Sequence, residues 1–393
     1  MEAVIKDRRG SVLGRGSILK MYFFPGQRTS SHIQIHGAPH VYKVEGYPVY
    51  SMATLTPNIT GAKEMLSFLG ARGSVNGGKK IIITDLREEA VVYINGTPFV
   101  LRELSKAVDT LKHVGITGPM VEHMEERLKE DIISEVTQTG GQMLLHREEY
   151  SPTLHQSSIV GYWENIFTED VKTPAEVYKA LRDEVYDVEY RRIPLMRERE
   201  ALSSDVDAIQ YCKDESAGCY LFVSHTGFGG VAYAMAIICA RLYAEGNVQH
   251  EVPSSAVSAS PLSVPDDMSC WASDEVALKL GDYRDILSLI RVLAQGPKSK
   301  ADTDNIIERC VGAGHIREDI VYYTKELKQG CDGNEEHEAY LIDMGIKALR
   351  RYFFLITFRS YLYCASAADT TFSSWMDARP ELGYLCNHLR IDK

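Results

Sequence analysis

The stretch "YLFVSHTGFGGVAYAMAIICARL", residues 220–242, sets a buried-type apolar run before a glycine-rich turn and a helical pattern. Phosphate sites are built this way, because free amides and the positive end of the helix dipole meet an anion at the helix start. Gly227, Gly229 and Gly230 would free backbone amides there. The same residues fit a tight strand-to-helix turn without a ligand, in which glycine only permits close packing. The stretch contains no lysine, and its single arginine, Arg241, lies far down the helix. Common motifs are excluded. Gly227-Phe228-Gly229-Gly230 departs from G-x-G-x-x-G, no Gly-Lys-Ser/Thr follows, and Ser224 lacks the flanking glycines of G-x-S-x-G.

Two further groups bear on chemistry. His32, His36 and His40 recur every four residues, a spacing that would align metal ligands on one helix face. Gly37 and Pro39 oppose a helix there, so no metal site is expected. The amino-terminal 43 residues carry seven cations, Lys20 and Arg28 among them, against only Glu2 and Asp7. Lys20 and Arg28 are candidates for the rim of a polyanion pocket, or for a solvated surface.

These residues need elements to position them. Ile81–Thr84 is a continuous apolar run suited to a central parallel strand. Asn95-Gly96 between "AVVYI" and "PFVLR" predicts a two-residue hairpin. "ITGAKEMLSFLGA" (59–71) reads as a helix with Thr60 as its cap. "GPMVEHMEERLKEDIISEVTQTGG" reads as a long amphipathic helix, with Met124, Leu128, Ile132 and Val136 on one face, ended by Gly140-Gly141. "QMLLHREE" and "VEYRRIPL" read as strands, "TPAEVYKALRDE" as a capped helix and "DVDAIQYCKD" as helical. Strands alternate with helices from about residue 80 to 243, which predicts an α/β fold with a mostly parallel central sheet flanked by helices. Residues 252–267, "VPSSAVSASPLSVPDD", read as an exposed loop or linker. Everything beyond reads as helical. The expected division is 1–250 for the sheet domain, 251–272 for the linker and 273–393 for a helical C-terminal region.

Composition bounds the function. Of 393 residues, 45% are hydrophobic and 25% charged, which suits a water-soluble globular protein. A net charge of −11 argues against general nucleic-acid binding. The eight cysteines show no C-x-x-C pair or regular spacing, so reduced thiols and a cytoplasmic setting are expected. The amino terminus has no apolar h-region, and "YFFLITF" (352–358) is far too short to span a membrane.

"GSVLGRGSILK", "FPGQ", "IHGAPHVYKVEGYPVYSMATLT", "ITDLREEAVVYINGTPFVLRE", "VEHMEERLKEDI" and "YRRIPL" together resemble one repeat of the paladin family. Domains of that family are similar to tyrosine-phosphatase-like inositol hexakisphosphatases (phytases). The resemblance covers most of residues 10–242 and continues into the helical region. It is greatest with the last repeat of plant paladins.

The resemblance implies a cysteine-phosphatase-like domain whose C-x5-R loop spans Ser224, His225, Thr226, Gly227, Phe228, Gly229, Gly230 and Val231. The family's nucleophilic cysteine falls on Ser224, whose hydroxyl is far less ionised than a thiolate. Its phosphate-clamping arginine falls on Gly230, and the hydroxyl residue that often follows falls on Val231. Its general-acid aspartate falls near Arg197, which cannot donate a proton at neutral pH; Glu198 or Asp205 are the nearest substitutes. Cys310 and Arg317 do not replace the pair, since their spacing is one residue too long and they lie between helices.

The resulting expectation is a catalytically degenerate phosphatase domain, without cofactor, acting as a binding or regulatory module. Its partners would be an inositol phosphate or active paladin-type repeats. The alternatives are a surviving phosphatase acting on inositol phosphates, phosphoinositides or phosphoproteins, and a truncated structural repeat of a longer paladin.

Overall fold

The computed structural model describes residues 2–22, 33–35, 38–53, 59–71, 78–109, 111, 113, 115–151, 153, 156–210, 217–224, 230–246, 276–330, 333–364 and 370–391. Arg28, His32, His36, His225–Gly229 and the 252–267 segment lie outside them. The chain divides into two compact units. The first comprises Met1–Lys43, Pro48–Met196 and Cys212–Val231; the second comprises Val44–Tyr47, Arg197–Tyr211 and Ala232–Lys393.

The first unit opens with helix α1 (Glu2–Asp7), then strands β1 (Ser17–Met21), β2 (Ile33–Ile35), β3 (Ala38–Lys43) and β4 (Val49–Ala53). Helix α2 (Ile59–Leu69) precedes β5 (Lys80–Asp85), β6 (Val91–Ile94) and β7 (Thr97–Glu103). Helix α3 (Gly118–Gln138), β8 (Gln142–Ser151), β9 (Gln156–Asn165) and β10 (Val171–Lys172) follow. Then come α4 (Pro174–Glu184), β11 (Val188–Arg192) and, after an excursion into the second unit, β12 (Ala217–Ser224).

The expected parallel sheet is present as β11-β5-β12-β4, extended at one edge by the antiparallel strands β3 and β2. Ile81 and Ile83 of β5 pack with Met65, Leu66 and Leu69 of α2 and with Val177, Tyr178 and Leu181 of α4. Burying each large side chain contributes about 1.5–3 kcal/mol relative to exposure. Helix α4 starts with a reciprocal capping box: the Glu176 amide donates to Thr173 Oγ1 and the Thr173 amide to Glu176. Thr60, by contrast, lies inside the first turn of α2, which begins at Ile59.

A second six-stranded sheet, β10-β6-β7-β1-β8-β9, is a feature the alternation of strands and helices does not disclose. Its β6–β7 hairpin turns where expected, with Asn95 at φ 49° and Gly96 at φ 79°, the left-handed pair a tight two-residue turn requires. "QMLLHREE" belongs to β8, which pairs along its length with β9. Leu128, Ile132 and Val136 of α3 cover this sheet, against Val92, Phe99, Met143 and Leu145.

The second unit is helical. It holds α5 (Ser203–Gln210), α6 (Gly230–Ala244) from its third residue onward, and helices at Arg284–Val292, Gly296–Arg309, Ile316–Gln329, Glu335–Leu362, Phe372–Asp377 and Pro380–Asn387. Every residue from Arg351 to Tyr361 is buried, so "YFFLITF" is the centre of a core. Phe354, Phe358, Tyr361, Phe372 and Trp375 stack there edge-on and face-on. Among the described residues no helix is long and apolar enough to cross a membrane.

Candidate phosphate-loop site

Ser224 ends β12, an interior strand of the parallel sheet, in register with Ala53 of β4. That end is the carboxyl edge, where open α/β sheets bind ligands. Ser224 is buried, and Val223 beside it pairs with Asp85 of β5. Six positions later Gly230 opens α6. The frame of strand and helix around the loop is therefore the one expected. Val231 is fully buried in a run that extends to Ala240, and it presents no hydroxyl.

The carbonyl of Leu195 decides what position 230 can hold. A Cβ built on Gly230 would stand 2.1 Å from the Leu195 carbonyl oxygen, far inside van der Waals contact. That oxygen belongs to a fixed wall. The Ile193 amide donates to Asp85 O, the Leu195 amide to Leu86 O, and the Met196 amide to Glu88 Oε1, at 2.9, 2.9 and 3.2 Å. Glycine is thus the residue that lets α6 begin there, and no side chain fits without moving backbone.

The same carboxyl edge carries a buried charge network that "TDLREE" did not announce. Asp85, at the end of β5, accepts from Arg87 Nε at 2.8 Å and Nη2 at 2.5 Å. It also accepts from Arg192 Nη1 and the Tyr190 hydroxyl, both at 3.0 Å. Arg192 then donates to the Arg87 and Glu89 carbonyls and pairs with Glu125 of α3 at 3.1 Å. Glu89 pairs with Arg102. Glu125 Oε1 accepts the Val91 amide at 3.0 Å, whereas Oε2 has no partner among the described residues.

Burial raises the Asp85 carboxyl, but Arg192 and Arg87 overcome it and hold the group at about 2. Burial also dominates at Glu125, where Arg192 and the Val91 amide oppose it incompletely, and its carboxyl is pushed up to about 7. A glutamate followed by Glu126, Arg127, Lys129 and Glu130 reads as a solvated helix face. The clue was its spacing, since Val121, Glu125, Leu128, Ile132 and Val136 form the buried stripe of α3.

The other expected residues are placed as follows. Lys20 is buried on β1 with Nζ 2.6 Å from Glu148 of β8, so its charge is matched inside the second sheet. In the second unit, Arg197 pairs with Asp319 at 2.8 Å and lies over the Tyr323 ring, while its carbonyl accepts from Arg351. Both oxygens of Asp205 are engaged, by the Leu202 amide at 2.8 Å and Arg199 at 3.0 Å. Burial nevertheless raises its carboxyl. Glu198 is half-buried. Cys310 is buried just before a short 3₁₀ turn between two helices, and Arg317 pairs with Glu308 and Asp304. Among the described residues no group of three His, Cys, Asp or Glu could hold a metal.

The first unit is a mixed α/β domain whose parallel sheet delivers an interior strand to a glycine-started helix. A family model described as "Inositol hexakisphosphate" (PTP-like phytase) matches residues 84–240. The paladin of Gallus gallus is 25% identical over 372 residues, covering 88% of this chain and 39% of the relative. The paladin of Danio rerio is 23% identical over 371 residues, with 87% and 39% covered. The chain thus spans about two-fifths of the length of these relatives. A tandemly repeated protein tyrosine phosphatase like phytase from Mitsuokella multacida aligns with a TM-score of 0.49 and 13% identity, over 93% of this chain and 48% of that one. Residues 84–240 thus match the PTP-like phytase family model, and the chain is similar to paladins over most of its length.

Proposed function

We propose that this chain is a catalytically degenerate phosphatase domain of the family, serving as a binding or regulatory module. The observation that carries the reading is the contact between Gly230 and the Leu195 carbonyl. The position that aligns with the phosphate-clamping arginine admits no side chain, so the charge stabilisation such a clamp supplies is missing. Ser224 in the nucleophile's place adds a second deficit, because an un-ionised hydroxyl attacks phosphorus slowly. Arg197 near the acid's place adds a third. Groups that act as a unit leave little activity when several are replaced.

The module's ligand would be a phosphorylated small molecule of the inositol phosphate class, in keeping with the description of the matched family model, or an active paladin-type repeat. Backbone amides at the start of α6 would still favour an anion. The five described cysteines are free thiols, which fits a reducing cytoplasmic setting.

The competing reading is a working phosphatase on inositol phosphates, phosphoinositides or phosphoproteins. It draws on the retained order of strand, loop and helix, with Ser224 at the carboxyl edge of the sheet. Phosphate release from the three substrate classes, assayed without metal, separates the two. The module reading expects release no faster than the substrate alone, and turnover that requires Ser224 would refute it.

A further inference from the structure

The second unit contains a cavity of about 750 Å³, within the range of about 300–1,000 Å³ over which small-ligand sites occur. Two helix faces converge on it at regular spacing. Arg284, Leu287, Ser288 and Arg291 fall at i, i+3, i+4 and i+7 of helix Arg284–Val292. Ile320, Thr324 and Lys328 fall at i, i+4 and i+8 of helix Ile316–Gln329. Leu349 and the C-terminal pair Arg390-Ile391 complete the lining, with Leu278 and Tyr283.

The lining is divided by chemistry. Ile320 and Leu349 are buried and Leu287 and Ile391 half-buried, which gives an aliphatic floor. The Ser288 and Thr324 hydroxyls donate to the Arg284 and Ile320 carbonyls of their own helices, so they add little free polarity. Arg284, Arg291, Lys328 and Arg390 are exposed, and their side chains have no ion pair or hydrogen bond among the described residues. Asp282, the acid in the lining, is already matched by Lys300 at 3.3 Å. The Arg390 amide donates to Asp285 at 2.8 Å, which holds that residue at the mouth. Four cations without an ion pair among the described residues surround one cavity, with Asp285 the acid at its mouth, in a chain of net charge −11.

We propose that this cavity binds a single-chain amphipathic anion, with an aliphatic tail on the floor and one phosphate or carboxylate head among the four cations. A purely polar anion would leave the floor empty, and a neutral apolar ligand would leave the cations without counter-charge. The site lies within the second unit and is independent of the reading of Ser224 and Gly230.

Isothermal titration of the full chain with laurate and with dodecyl phosphate, below micelle formation, tests it. Acetate, inorganic phosphate and dodecyltrimethylammonium serve as controls. The expected result is saturable one-to-one binding of at least one amphiphilic anion, weakened at least about tenfold in Arg284→Glu/Arg291→Glu and in the plugging variant Ser288→Trp. Which head binds identifies the source, carboxylate or phosphate ester. Both arginines are exposed, and circular dichroism confirms the fold of the double variant. The proposal is overturned if neither amphiphile binds the unaltered chain. It is equally overturned if the charge-reversed variant binds as tightly as the parent, or if a control ligand binds as well as the anions.

Discussion

Gly230 and Leu195 meet without room for a side chain, the would-be Cβ of one lying 2.1 Å from the carbonyl oxygen of the other. Replacing a helical glycine by alanine ordinarily stabilises a protein by about 0.5–1 kcal/mol. Here the sign should reverse. Gly230→Ala is expected to destabilise by about 2 kcal/mol and Gly230→Arg by about 3 kcal/mol, read from urea unfolding. Neither Gly230→Arg nor Ser224→Cys/Gly230→Arg should gain phosphatase activity, because any side chain at this position meets the Leu195 carbonyl from its first carbon. A stable arginine variant with turnover would show that the Leu195 wall yields.

Asp85 neutralises two buried arginines at once. Asp85→Asn keeps the shape but removes the charge, leaving Arg192 with Glu125 and two backbone carbonyls and depriving Arg87 of the carboxylate it pairs with. Breaking a buried pair from one side costs about 3–5 kcal/mol. Denaturant unfolding should show a loss in that range, and a loss below about 1 kcal/mol would mean the network is not rigidly held.

What the sequence disclosed depended on whether a residue's burial follows from its type. Ile81–Thr84, the Asn95-Gly96 turn and the Gly140-Gly141 stop all appear where composition placed them. These signals are local, since apolar runs and left-handed glycines need no distant partner to be interpreted. Glu125, Asp85 and Arg192 escaped because a buried charge is tolerated only when opposite charge meets it, and, apart from Arg87 beside Asp85, the partners named for them lie 34 to 107 residues away. Met124 packs against the covered core from a half-buried position, as its spacing predicts, while the neighbouring Glu125 is fully buried. Strand β9, "QSSIVGYWEN", escaped for a related reason. As the outermost strand of its sheet it buries no residue fully, so it lacks the apolar alternation by which strands are recognised. For the candidate site, residue types predicted the loop frame, whereas the closed space at Gly230 required the position of Leu195.

The two carboxylates of the network should give opposite pH responses. Glu125 titrates near 7 in the folded chain and near 4.5 when unperturbed. The folded state therefore holds the proton more tightly. Its contribution is fully present below about pH 4.5 and is lost as pH rises through 7. The span corresponds to roughly 3 kcal/mol. Asp85 is depressed to about 2 from 3.8, so its contribution is present above about pH 4 and is lost as pH falls through 2. Together they predict greatest stability from this network near pH 4–5. Glu125→Gln retains the Oε1 acceptor and should at least halve the decline between pH 4.5 and 7. Midpoints of urea unfolding across pH 3–8 check this, and an unchanged slope in Glu125→Gln would assign the titration to another group.

The central claim is that the loop retains its frame without the chemistry that would use it. The most direct measurement compares phosphate release from inositol hexakisphosphate by the purified chain and by Ser224→Ala, in the absence of metal. The account predicts the same rate for both, equal to that of substrate alone. Multiple turnovers by the unaltered chain that disappear in Ser224→Ala would contradict it.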